Sequence, residues 1–481
     1  MDKKTSDILT KLWSDYFILL LIFALIAFKV SWLTLPFYWD EAWSYAMAIF
    51  DMANSGPTII PGHANEWLTR GHPLFFYFIA SSWLVIFGKT VFSAHLFALL
   101  ISCGSLFIIH FSCKKMISIP VANIVALALM TQAMFLAQST LLLPEIFLMG
   151  LTFWVFYLYF QKKWWLYILV SFCLILSKET ALVLFSVLFF DKILLQKIIY
   201  QNECKYNMIF FKEFFFVIIP FLFFGVFLFI QKLNLGYFFF PEHTQMMSFV
   251  FSDFLNKLFS ISAVLFIRNA RLIWLIIGIA ALLFGIIKKR FSKKDVHLFI
   301  VSSVFIIGYL VFSSLNFFTT RYLLTLLPFF LLLSTIFVVR SFSKKIRIAL
   351  FVIVISGTLY YSLVYNNGEA DVNLTLNQTI MAHKEAVNFC ELQQWHDKTI
   401  DTWFLMGFNL KFPHLGYLNN KEKPFSKFSN DLFPDVFIFY SIERDSRIDE
   451  IKNDANYKLV KQITKPNGCN VEIYEKVLVQ D

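Results

Sequence analysis

Long apolar runs separated by short polar turns make up most of the chain as far as residue 365. They fall at 16–36, 91–113, 119–138, 144–161, 164–177, 180–198, 213–231, 270–287, 296–315, 322–340 and 347–365. A helix needs about 20 apolar residues to cross the hydrocarbon core of a bilayer. The pattern therefore predicts about eleven transmembrane helices. One more apolar stretch, HPLFFYFIASSWLVIFG at 72–88, is ambiguous, and the basic residues arbitrate. Lys3, Lys4 and Lys11 precede the first run, Lys114 and Lys115 follow the second, and Lys162 and Lys163 follow the fourth. Lys192, Lys197, Lys205 and Lys212 follow the sixth, KKRFSKK (288–294) the eighth, and Arg340, Lys344, Lys345 and Arg347 the tenth. If 73–88 does not cross, all these groups share one side, which the positive-inside rule makes cytoplasmic. The stretch is read as a helix lying in the outer interface, within a first outer loop spanning 37–90. The start of the chain is basic but runs into a long apolar stretch without a small-residue cleavage site, so it reads as a retained helix.

From Asn366 the pattern becomes that of a soluble domain. TIMAHKEAVNFCELQQW has helical spacing, and KTIDTWFLMGF, PDVFIFYSI and VEIYEKVLV read as strands. The expected architecture is an all-α polytopic membrane region over 1–365 with a small extracytoplasmic α/β domain over 366–481. Composition agrees. Of 481 residues 58% are hydrophobic and the mean hydropathy is +0.66, against about 45–50% apolar in a soluble domain. The net charge of +10 comes from Lys and Arg groups between spans, so it orients the protein and does not point to nucleic acid. Among six cysteines, Cys103, Cys113 and Cys173 read as packing residues. Cys390 and Cys469 share the outer domain, where a disulfide or two free thiols are equally compatible with the sequence.

Candidate chemistry gathers in the outer turns. Asp40 and Glu41 end an apolar run, where a carboxylate pair loses hydration. They suit either a helix start or a general base or metal-binding site. Glu145, after Pro144, suits a helix N-terminus yet is acidic within a strongly apolar stretch on the same side as Asp40. Asp40 and Glu145 together would also suit a divalent metal ion. Arg321 opens RYLLTLLPFFLLL, where it either snorkels to headgroups or grips a phosphate through two parallel hydrogen bonds. Lys178 and Glu179 either neutralise each other or serve the same site. His72 and Arg70 flank a glycine ahead of Pro73, and Glu242 and His243 are weaker loop candidates.

In order along the chain, YWDEAWSY, GHPLFFYF, LLPEIFL, the SKET turn and RYLLTLLP resemble the GT-C superfamily of membrane glycosyltransferases. The resemblance is to the bacterial relatives of protein O-mannosyltransferases and of lipid A aminoarabinose transferases, and it covers roughly residues 10–365. It implies a GT-C-like fold and a sugar donor carried on a polyprenyl phosphate. It also implies inverting transfer to an envelope acceptor (glycolipid, polysaccharide or protein) on the outer face of a bacterial inner membrane. Asp40 takes the place of the family's first-loop acid, with Glu41 beside it, and Glu145 that of a second acid that is often Asp. Arg321 matches the residue contacting the donor phosphate, with Lys178 and His72 as helpers. No organic cofactor is implied. The chemistry is coherent, since a lipid phosphate leaves readily once cations neutralise it and a carboxylate takes the acceptor proton. The alternative class is a transporter or flippase of lipid-linked glycans, which would place charges along the middle of its helices.

Overall fold

The computed structural model describes residues 16–200, 208–247, 249–428, 434–442 and 447–477. Lys3, Lys4, Lys11, Lys205 and the last two residues of VEIYEKVLV lie outside them. The protein is mostly helical, and a small four-stranded sheet closes its C-terminal part.

Among the described residues, five helices are long and apolar enough to cross a membrane: Val91–Met116, Met208–Leu235, Lys293–Leu315, Thr320–Ser341 and Lys344–Tyr365. Phe251–Phe266 and Arg271–Ile287 would make a sixth if taken together, but an 85° bend separates them. The expected count of about eleven therefore does not follow from length. Ile119–Met130, Glu145–Phe160 and Trp164–Ile175 are apolar but hold only 12, 16 and 12 residues. At about 1.5 Å per residue they reach roughly 18–24 Å, short of a core about 30 Å thick. Polar and proline punctuation explains their length: Thr131–Gln132 ends the first, Pro144 opens the second, and Lys162–Lys163 separates the second from the third. The stretch from Phe75 to Phe87 forms a 13-residue helix, too short to span alone.

Hydropathy alone marks Glu145–Phe160 as membrane-facing, but nearly all of it is buried against other helices. Gly150 permits this, because a Cβ there would stand 2.4 Å from Ser105 Oγ. Ser105 Oγ in turn donates to the Ile146 carbonyl at 3.1 Å. Small residues at such crossings let helix backbones approach, and here the approach fixes the helix end that carries Glu145.

The basic groups meet at one end of the bundle. Lys294 Nζ donates to the Met116 carbonyl at 2.7 Å, and Arg340 pairs with Asp295 at 3.0 Å. Lys162 and Lys192 share Glu213, and His297 pairs with the buried Asp191 at 2.7 Å. The acidic pair Asp40–Glu41, Glu145, Lys178 and Arg321 occupy the other end. Among the described residues, Lys162, Lys192, Lys294 and Arg340 are thus seen in contacts at that end.

The C-terminal part has strands β1 (Ile400–Thr402), β2 (Val436–Tyr440), β3 (Tyr457–Thr464) and β4 (Asn470–Lys476), in the order β1-β2-β4-β3. β1 and β2 run parallel, and the other neighbours are antiparallel. Two expectations need correcting. KTIDTWFLMGF gives only the three-residue β1 before a helix, Phe404–Lys411, and β3 was not anticipated. The alternating burial of β3 is broken, since Leu459 is exposed and the pairing register shifts between Leu459 and Lys461. The expected helix forms over Leu376–Leu392, and it packs against β3 and β4. Cys390 and Cys469 are both buried free thiols.

This part is not detached. One continuous apolar cluster contains Phe37, Ile49, Leu74 and Leu143 together with Ile380, Leu415, Tyr417 and Ile473. Phe37 N also donates to the Leu415 carbonyl at 3.0 Å. The tail and the first loop share a core directly above the acidic end of the bundle.

Candidate active site

The backbone around Asp40 is unusual before any side chain is considered. Trp39 adopts φ +53°, a conformation that costs a non-glycine residue about 1–2 kcal/mol. Glu41–Ala46 then continues as a wide π-helical turn, a form concentrated at functional sites. These two features turn adjacent carboxylates in opposite directions. Asp40 faces a cavity. Glu41 is fully buried on the other side, where His95 Nε2 approaches at 3.0 Å and Leu142 N donates at 2.6 Å. Glu41 was expected either as a helix-start charge or as a second catalytic group; its carboxylate instead ties the first loop to Leu142, three residues before Glu145. His95 was missed in the sequence reading, although a lone histidine inside the apolar run FSAHLFALL was a usable signal.

Arg321 lies at the centre of the site. Its Nη2 donates to Asp40 Oδ2 at 2.5 Å and its Nη1 to Asp371 Oδ2 at 2.7 Å. Nε stands 3.4 Å from Glu145 Oε1, close enough for an ion pair but too poorly aligned for a hydrogen bond. Lys178 Nζ approaches the same Glu145 oxygen at 3.3 Å and lies 3.8 Å from the centre of the Tyr322 ring. Burial disfavours the Lys178 ammonium, but Tyr322 and Glu145 outweigh it and hold its pKa above the ordinary lysine value. Asp40 Oδ1 also accepts from Trp43 Nε1 at 3.0 Å. Lys178 and Glu179 do not neutralise each other. Lys178 turns to Glu145, while Glu179 turns to His72 Nδ1 at 3.0 Å.

His72 therefore belongs to a second cluster beside the first. Its ring lies 4.8 Å from that of His243, and Arg70 pairs with Glu242 at 3.6 Å. Burial raises the Glu179 carboxyl, but the charge and hydrogen bond of His72 prevail and bring it to about 2. Burial, and then His72, lowers His243 to about 4. Among the described residues, the ligand atoms of His72, Glu179 and His243 lie within 4.8 Å of one another, a spacing that suits a metal ion. Asp40 and Glu145, the pair that the sequence left open as metal ligands, both converge on the guanidinium. Gly71 allows the approach of the two loops. It has φ +66°, and a Cβ there would stand 2.7 Å from Phe240 Cβ.

Both clusters line one cavity of about 490 Å³. Asp40, Arg321 and Lys178 form one wall, His72, Glu179 and His243 another, and Phe224, Phe227, Phe239 and Phe317 extend it as an apolar channel. A charged end joined to a phenylalanine-lined channel suits an amphipathic ligand with an anionic head and a hydrocarbon tail. Asp371 was missed because it lies in a polar loop of soluble composition, where one acid resembles any other. Its relation to Arg321 spans 50 positions and leaves no local signal.

No family model matches the chain, and no curated protein matches it by sequence. Solved structures do match. ArnT from Cupriavidus metallidurans bound to undecaprenyl phosphate superposes with a TM-score of 0.55 at 13% identity, over 85% of this chain and 74% of that one. The apo state of the same protein gives a TM-score of 0.52 at 15% identity, over 77% and 69%. The chain has the ArnT fold, as the resemblance of its motifs implied.

Proposed function

We propose that this protein is a glycosyltransferase that moves a sugar from a polyprenyl-phosphate donor to an envelope acceptor on the outer face of the membrane. The observation that carries the reading is the convergence of Asp40, Glu145, Lys178 and Arg321 at the head of an apolar cavity. The ArnT structure with undecaprenyl phosphate supports a lipid carrier of that class here.

In this reading the prenyl chain lies along the phenylalanine channel and the phosphate meets Arg321 and Lys178. Both residues line the cavity, and the rotatable Lys178 ammonium is a donor available to the phosphate. Asp40 takes the proton of the acceptor hydroxyl as that oxygen attacks the anomeric carbon. The carbon–oxygen bond to phosphate breaks, and its electron pair leaves on polyprenyl phosphate. A single displacement of this kind inverts the anomeric configuration. The two cations stabilise the charge that develops on the leaving oxygen, usually the largest electrostatic contribution available to such a reaction. Glu145 orients both cations, and Glu41 braces the loop. Membrane orientation follows the positive-inside rule, which puts the basic end of the bundle in the cytoplasm.

The transporter reading calls for charges strung along the helices. The ion pairs described within residues 16–365 gather instead at the two ends of the bundle. The test is to incubate purified protein with a polyprenyl-phosphate sugar labelled in the sugar, together with an envelope extract as acceptor. A transferase frees polyprenyl phosphate and moves label into the acceptor. Recovery of the donor with its sugar–phosphate bond intact would contradict the proposal.

A further inference from the structure

We infer that Asp371, which comes from the segment joining the last long helix to the tail, is a positioning residue of the candidate site, and that the site is incomplete without the tail. The inference rests on the transferase reading above. A guanidinium is a rigid planar fork, so fixing one nitrogen fixes the direction of the others. Asp371 Oδ2 holds Nη1 at 2.7 Å. That contact sets the plane in which Nη2 reaches Asp40 and Nε faces Glu145 without a hydrogen bond. With Nη1 released, Arg321 would be free to turn Nη1 and Nη2 onto one carboxylate as a bidentate pair, losing the arrangement in which Nη2 meets Asp40 and Nε faces Glu145.

Asp371 is itself held firmly. Its carbonyl accepts from the buried Gln138 at 2.8 Å. The loop is closed by Thr375, whose Oγ1 accepts from Gly368 N at 3.0 Å and donates to the Gly368 carbonyl at 2.9 Å. Leu374 N donates to Asn366 Oδ1 at 3.0 Å. A loop cross-linked in this way presents a fixed carboxylate. A tail anchor alone would not require a third carboxylate on the guanidinium beside Asp40 and Glu145. The shared apolar core of the tail and first loop already joins the two parts. Burial, reinforced by Asp40, pushes the Asp371 carboxyl upward against the pull of Arg321, so the charge is kept in place at a cost.

The test compares wild type, Asp371→Asn, Asp371→Glu and Asp371→Ala in the release of polyprenyl phosphate from a labelled polyprenyl-phosphate sugar, with melting as a control. Asp371→Asn is expected to melt like wild type, to keep the donor KM within about threefold and to lose roughly 10- to 100-fold in kcat. Asp371→Glu should recover part of the loss, and added formate should partly restore Asp371→Ala. Release by wild type with an undiminished kcat in Asp371→Asn would overturn this inference alone, as would a defect confined to KM or melting. No release by wild type would overturn the transferase reading and this inference with it.

Discussion

At the scale of single residues, the site depends on one guanidinium surrounded by carboxylates. Lysine keeps the charge of Arg321 but not its fork. Arg321→Lys is therefore expected to fold and to lose about 100-fold in turnover, a typical effect of removing one preorganised donor. Wild-type kcat in that variant would remove Arg321 from the phosphate site. The second cluster predicts a pH response. Folding lowers His243 from 6.5 to about 4, so as pH falls the unfolded chain binds this proton first. The contribution of His243 to stability is therefore intact above about 6.5 and lost as pH falls from there towards 4. Glu179, held near 2, stays ionised through that window. Melting temperature should fall with acidification across it, and His243→Gln should flatten part of the slope. Parallel profiles for the two proteins would contradict this assignment.

At the scale of elements, the positions where glycine is required are as informative as the charges. Gly71→Ala adds a methyl group to a left-handed residue facing Phe240, which should cost about 1–2 kcal/mol from the backbone alone and displace His72. Lower melting with impaired turnover is expected, and an unchanged protein would argue against the tight loop crossing. The element scale also marks the limit of what the sequence conveyed. The apolar runs and the short helix at Phe75–Phe87 were legible, because hydrophobic periodicity is local. The shortness and burial of Glu145–Phe160 were not, since lipid-facing and protein-facing apolar residues look alike in sequence. Asp40, Glu145, Lys178 and Arg321 could each be picked out as a charge at an apolar boundary. Their convergence depends on helix packing, and the partnership of Glu41 with His95 depends on a π-helical turn that no residue pattern announces.

At the scale of the whole molecule, the tail, first loop and helix bundle act together. The tail was legible as a compositional change at Asn366, but not as a lid sharing a core with Phe37 and Leu143. That placement predicts topology. Single cysteines at the exposed Asn54 and Asn367 should react with an impermeant maleimide from the outer face, and one at Lys289 should not. Labelling of Asn54 and Asn367 from opposite faces would break the proposed arrangement. The central claim is that this assembly transfers a sugar with Asp40 as the base. Its most direct measurement is the release of polyprenyl phosphate by purified wild type and Asp40→Asn under identical conditions, with donor binding followed in parallel. The account predicts that donor binding is kept and release falls by at least about 100-fold, within the usual range for a lost general base. Release by Asp40→Asn at the wild-type rate would contradict it.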